Sequence, residues 1–145
     1  MGEIQIRRAG ADDAEAVAGL LGQLGYPTET AEVPARLERM GADGRAAVFL
    51  AQKGGRVVGL ATAHVLSVLN RGRDVAWLTA LVVDESARGT GVGRELVGAV
   101  EAFGRQAGCE RLSVTTQEHR TDAHAFYARL GFQRTGRRFG KVLGP

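Results

Sequence analysis

Residues 82–97 read VVDESARGTGVGRELV: an apolar end, a polar turn, then glycines at positions 89, 91 and 93 at the head of an amphipathic run. Glycine costs backbone entropy, so three of them on alternate positions imply a left-handed backbone or a close approach. Upstream, VAWLTALVV (75–83) is apolar and does not alternate, which predicts a strand buried on both faces. Downstream, Val92, Leu96, Val100, Phe103 and Ala107 recur at helical spacing, and Gly108 supplies a stop. The glycines therefore sit where a strand hands over to a helix. There the first-turn N–H groups are unpaired and the helix dipole is positive, an arrangement most often used to bind phosphate.

Further out, Ile4–Arg8 predicts a short strand, and AGADDAEAVAGLLGQLGY (9–26) a helix with Val17, Leu20, Leu21 and Leu24 on one face. Asp12 with Glu15 resembles a capping box, and Gly25 with Pro27 ends the helix. ETAEVPARLERMG (29–41) holds a second helix, with Pro34 near its first turn. AAVFLAQ (46–52) and RVVGLATAHVL (56–66), joined through Gly54 and Gly55, predict a hairpin. After the central helix come a strand at RLSVTT (111–116), a helix at TDAHAFYARLG (121–131) capped by Thr121 or Asp122, and a closing hairpin turning at Gly136. The order β-α-α-β-β-β-α-β-α-β-β describes a mixed α/β fold around a central sheet, in one domain over 1–145.

Composition narrows the class. The 145 residues are 44% hydrophobic and 24% charged, the mixture of a globular chain with a core rather than of a disordered one. Nineteen basic against 16 acidic residues leave a net charge of +3, with no run of like charge. One cysteine, Cys109, excludes an internal disulfide framework and reads as a small buried residue. No apolar run approaches the ~20 residues of a membrane span, so a soluble cytoplasmic protein is expected. His64, His119 and His124 lack zinc-site spacing, so no metal is expected. Arg129, Arg134, Arg137, Arg138 and Lys141 make the C-terminal segment basic, but few aromatics accompany them and no recognition motif appears. That argues for a solvated face, or one that helps to hold phosphate, over a nucleic-acid site.

Three phosphate-binding patterns compete for the glycines, beside the plain alternative of a turn with no ligand. A P-loop requires Gly-Lys-Ser/Thr, whereas Gly93 is followed by Arg94 and Glu95. A dinucleotide fingerprint requires G-x-G-x-x-G, and the glycines here have the wrong spacing. The third pattern fits. Arg88-Gly89-Thr90-Gly91-Val92-Gly93 matches Arg/Gln-x-x-Gly-x-Gly/Ala, and AHAFYARLGF (123–132) matches a second signature, A-x-x-F-Y-x-x-x-G-F. In this order the two motifs resemble the GNAT family of N-acetyltransferases, with the His124 form closest to aminoglycoside-type and similar small-molecule members. The resemblance spans nearly the whole chain, although before Ala46 element order alone carries it.

The resemblance implies acetyl-CoA as co-substrate, its pyrophosphate held by backbone N–H groups from Arg88 through Gly89, Thr90, Gly91, Val92 and Gly93 to Arg94. It implies a sheet splayed between the fourth and fifth strands, with the pantetheine arm paired to backbone groups of Leu81, Val82 and Val83, and Phe126 among the cofactor-contacting residues. A backbone N–H near Val82 would polarise the thioester carbonyl, and Tyr127 would protonate the leaving thiolate. Without the motif, Tyr127 reads as a core aromatic on the face shared by Ala123, Phe126 and Leu130. The base stays open. An alkylamine with a pKa near 10.4 is neutral in only about one molecule in a few thousand at pH 7, so a proton must be taken. Many family members carry a glutamate on the strand before the glycines, where this chain has Trp77-Leu78-Thr79-Ala80-Leu81. Glu118, His119, His64 or a water chain are the substitutes. Arg120 stands where the family often has asparagine. The expected acceptor is a small-molecule amine, with Tyr26, Glu29 and Glu32 as cleft-lining candidates; a homodimer is allowed. The rivals are a CoA-binding relative without catalysis and an acetyltransferase acting on protein lysines or N-termini.

Overall fold

The computed structural model describes residues 3–115, 121–136 and 139–144. By its internal contacts the chain divides into two units, Met1–Val114 and Thr115–Pro145.

The first unit holds a five-stranded sheet whose spatial order is the chain order: β1 (Ile4–Arg8), β2 (Ala46–Lys53), β3 (Arg56–Leu66), β4 (Val75–Val83) and β5 (Arg111–Val114). The first four strands are antiparallel; β5 joins β4 in parallel after the crossover helix α3 (Val92–Gln106). The β2–β3 hairpin turns at Gly54 and Gly55, both at positive φ, as their sequence position requires.

The sheet is covered on both faces. On one, Val17, Ala18 and Leu20 of α1 (Ala14–Leu24) and Val33 of α2 (Val33–Gly41) pack on Val48, Leu50, Leu60 and Val82. On the other, α3 lies so close to β3 that a Cβ on Gly59 would stand 2.8 Å from Val92 Cγ1 and 2.9 Å from Leu96 Cδ1. Successive strand residues point to opposite faces, so neighbours Gly59 and Leu60 serve opposite helical layers. Fully buried side chains such as Leu50, Leu60, Leu78 and Leu96 fill the two interfaces. Burying a side chain of that size contributes about 1.5–3 kcal/mol each by area. Arg8 closes one edge, its guanidinium over the rings of Phe49 and Phe103 at 4.9 and 5.4 Å.

Local details differ from the sequence expectation in three places. The N-terminal cap is not Asp12 with Glu15: a 3₁₀ turn, Ala11–Asp13, precedes α1, and Asp13 Oδ2 accepts the Gly10 N–H at 2.8 Å while Arg7 holds its other oxygen. That contact keeps the Asp13 carboxyl below its ordinary range, chiefly through the Arg7 hydrogen bond. β4 is covered on both faces, as its non-alternating run predicts, but it also carries a β-bulge that the run did not announce. Thr62 pairs with Ala80 and Ala63 with Leu78, so Thr79 is an extra residue that resets which face the strand presents.

The second unit holds α4 (Thr121–Arg129). It begins at Thr121 itself, so its capping position falls outside the described residues. The closing hairpin is the third difference: among the described residues of 132–144 no strand forms. Phe139, Val142 and Leu143 there are exposed.

Candidate functional site

The glycine segment is built as a handover from β4 to α3. Asp84 ends the strand and is fixed from several sides: Gln23 Nε2 of α1 donates to Oδ1 at 2.7 Å, Arg56 Nη2 donates to Oδ2 at 3.2 Å, and Ser86 donates to Oδ2 through both its N–H and its hydroxyl. The Ser86 hydroxyl above all, then Gln23 and the Ser86 N–H, hold the Asp84 carboxyl far below the usual carboxylate range. A single 3₁₀ turn follows, Glu85–Ala87, and Thr90 Oγ1 closes the loop by donating to Ala87 O at 2.5 Å. None of these ties uses the glycines. The loop is held by its flanks.

At the start of α3 the backbone is left-handed: Gly89 has φ +79° and Gly91, the N-cap residue, has φ +91°. Caps of ordinary helices are extended Ser, Thr, Asp or Asn residues whose side chains bond the first-turn N–H groups. Here no side chain caps the helix, and the first intrahelical bond is Glu95 N–H to Gly91 O at 3.1 Å. The Val92, Gly93 and Arg94 N–H groups precede it at the positive end of a 15-residue helix. A Cβ on Gly89 or Gly91 would meet no atom within 4 Å, so neither glycine makes room for the chain itself. A phosphate fits these donors and this open side. Arg88, expected to open the cradle, is exposed, with its N–H directed to Glu85 O at 3.5 Å and its Nε to Val83 O at 3.1 Å.

Leu81, Val82 and Val83 lie together at the end of β4, with Val82 in the α1/α2 core and Leu81 and Val83 half-buried. Among the described residues the β4–β5 register runs from Val75↔Arg111 to Leu78↔Val114, while β4 continues five residues to Val83. Thr79 is the first residue past that fork. Its hydroxyl lies 2.6 Å from Thr62 Oγ1 and 3.1 Å from His64 Nδ1. The sequence named His64 as one candidate base but missed Thr62 and Thr79. The signal was there, a lone polar residue inside an otherwise apolar strand.

In the second unit Phe126 and Tyr127 are half-buried on α4, with Tyr127 edge-on to Phe126 and Phe132 at centroid distances of 5.3 and 5.5 Å. The Tyr127 carbonyl ends the helix, accepting the N–H groups of Leu130 and Phe132. His124 is half-buried. Glu118, His119, Arg120, Arg137 and Arg138 lie outside the described residues. Tyr26 is exposed; Glu32 is occupied, accepting the Glu29 N–H at 3.0 Å and pairing with Arg36 at 3.3 Å. Cys109 is half-buried beside β5, and burial first, then Asp74, pushes its thiol up. Among the described residues no group of three or more potential metal ligands occurs, and no helix is long and apolar enough to cross a membrane.

Known proteins share both sequence and architecture with this chain. The sequence profile of the Acetyltransferase (GNAT) family matches residues 15–132. An aminoalkylphosphonate N-acetyltransferase of Salmonella typhimurium is 36% identical over 94 residues, 65% of this chain and 61% of that protein. An aminoglycoside N(6')-acetyltransferase type 1 of Stenotrophomonas maltophilia is 35% identical over 136 residues, 91% of this chain and 88% of the relative. Among solved structures, the aminoglycoside N-acetyltransferase AAC(6')-Iy in complex with CoA superposes with a TM-score of 0.87 at 25% identity, covering 99% of this chain and 96% of that one.

Proposed function

This chain belongs to the GNAT acetyltransferase family, and from that premise we propose that it moves the acetyl group of acetyl-CoA to a primary amine of a small molecule. Acetyl-CoA is the acyl donor the family uses, and the fold is that of an acyltransferase. The observation that carries the reading is the uncapped, left-handed start of α3, whose N–H groups and dipole suit a pyrophosphate. The small-molecule acceptor is supported by the aminoglycoside enzyme that matches 91% of the chain.

When bound, acetyl-CoA supplies an activated acyl carbon and a thiolate leaving group. The Val92, Gly93 and Arg94 N–H groups hold its phosphates, with Gly89, Thr90 and Gly91 shaping the loop. Leu81, Val82 and Val83 offer backbone pairing along β4, and a backbone N–H near Val82 polarises the carbonyl. Phe126 contacts the cofactor, and Tyr127 gives its hydroxyl proton to the departing sulfur. Residues 1–145 act as one acetyltransferase domain, a reading supported by a family match that runs through both units. A cytoplasmic location and a homodimer complete it; a free cysteine suits the former.

The experiment is direct. The protein is mixed with acetyl-CoA and a panel of aminoalkylphosphonates, aminoglycosides and lysine peptides, and free thiol is followed. Turnover of a small amine is expected. Turnover of the peptides with the small amines inert overturns the acceptor class, and no thiol release with any amine favours a CoA-binding protein without catalysis.

A further inference from the structure

The sequence leaves the proton acceptor open. β4 carries no carboxylate between Val75 and Val83, so the amine must lose its proton to something else. We infer that His64 Nε2 takes it, with the ring oriented by Thr79 and Thr62 at the fork between β4 and β5. This inference rests on the acetyltransferase reading above.

Three observations converge within the first unit. The first is the bulge: as the extra residue of β4, Thr79 turns its hydroxyl to the sheet face of Thr62 and His64, rather than leaving a Val or Leu there. The second is the hydrogen-bond arithmetic. A hydroxyl has one proton to give. Thr79 Oγ1 lies 2.6 Å from Thr62 Oγ1 and 3.4 Å from the Thr62 carbonyl; its proton given to either leaves it accepting from His64 at 3.1 Å, with the ring hydrogen on Nδ1, and this is the arrangement the inference takes. The neutral imidazole then has its lone pair on Nε2, and among the described residues the ring makes no other hydrogen bond. The third is position. The α1/α2 core covers Val48, Leu50, Leu60 and Val82, but farther along the same face Thr62 and His64 are only half-buried and Thr79 is exposed. Trp77, opposite His64 in the β3–β4 register, is half-buried too, leaving an aromatic-lined floor reachable from outside. Thr79 is also the first β4 residue past the last β5 pair. An acyl donor anchored at the α3 start and lying along Val83 to Leu81 has its thioester end directed back toward it.

In the step, the acceptor nitrogen forms the C–N bond to the acetyl carbon, the C–S bond breaks, and the sulfur leaves with the electron pair. Before attack His64 Nε2 takes one proton from the ammonium and later yields it to water; after attack Tyr127 protonates the leaving sulfur and is reprotonated by the second proton the nitrogen sheds. The products are the amide and CoA thiol, and no oxidant or further reactant is needed. Thr79 and Thr62 are positioning residues.

The test uses His64→Gln and Thr79→Val in the full chain, with three readings. Acetyl-CoA should raise the melting temperature of both variants as it does the wild type. With the fastest amine of the panel, His64→Gln should lower kcat about 10²–10⁴-fold and Thr79→Val by less. With a difluorinated analogue of that amine, mostly neutral at the assay pH, the loss should shrink at least tenfold, because no proton need be taken before attack. Independently of turnover, ¹⁵N shifts of the His64 ring should show hydrogen on Nδ1 in the wild type, and a changed tautomer balance in Thr79→Val. The inference is overturned if His64→Gln turns over within about twofold of wild type, if the loss is equal for both amines, or if Nε2 carries the hydrogen. A wild type whose melting temperature ignores acetyl-CoA overturns the acetyltransferase reading itself, and this base with it.

Discussion

Two pairs of glycines in this chain do opposite work. A Cβ at Gly59 would lie 2.8 Å from Val92 Cγ1, and one at Gly104 would lie 3.0 Å from the Ala76 Cβ; both are glycines so that α3 can lie flat on the sheet. Gly89 and Gly91 touch nothing with the missing Cβ, yet both sit at positive φ. Inward glycines remove bulk in favour of packing, whereas the outward ones hold a backbone shape whose open side faces away from the chain. Sequence spacing alone does not tell the two kinds apart.

Breaking the outward pair should give the largest effect. Gly91→Val strains the left-handed N-cap and fills the open side, so we expect loss of the acetyl-CoA thermal shift in a protein that still folds. In the wild type that shift corresponds to about 2.7 kcal/mol at 100 times Kd. A folded Gly91→Val protein with the full shift would place the phosphates elsewhere.

The second effect tests chemistry apart from both glycine pairs. Tyr127→Phe keeps the ring that packs on Phe126 and Phe132 and removes only the hydroxyl. Acid help is useful but not obligatory for a thiol with a pKa near 8.5, so kcat should drop by about 10², with acetyl-CoA affinity and melting temperature nearly unchanged. Turnover within about twofold of wild type, with lower stability, would make Tyr127 a packing residue.

Gly59→Val probes the inward pair. Overpacking against Val92 and Leu96 should cost about 1–3 kcal/mol in a denaturant titration, while the folded fraction keeps its acetyl-CoA response. An unchanged midpoint would show that α3 can lift from the sheet freely.

The smallest effect concerns the ties that hold the loop. Asp84 has a folded pKa below its unfolded value near 3.9, so its contribution to stability is present above that value and lost as pH falls below it. Asp84→Asn should melt slightly below wild type at pH 7, and the gap should close on acidification below pH ~4. A gap that persists at low pH would assign the effect to lost packing rather than to charge.

Most of the first unit could be read from its sequence because its signals are local. The glycine pair of the β2–β3 turn, the apolar spacing of α3 and the run of β4 each state their structure within a few residues. Thr79 was less legible, since a bulge is defined by what stands across from it on β3. Arg88 was legible as a motif residue but not as a side chain folded back on Val83, because its acceptor is a backbone group with no residue signature. The last hairpin was inferred from Gly136 between two mixed runs, and weakly apolar runs around one glycine do not compel pairing. His64 stood out only as one of three histidines until the bulge brought Thr79 within hydrogen-bond distance of it.

The strand order of the sheet is also a schedule. Because β1 to β5 lie side by side in the order they are synthesised, each strand leaving the ribosome meets the partner laid down just before it, after a turn, a loop or a helical excursion. The last pairing, β5 on β4, waits for the crossover helix α3, and it covers four positions among the described residues. The place where assembly finishes last is the place where the strands part.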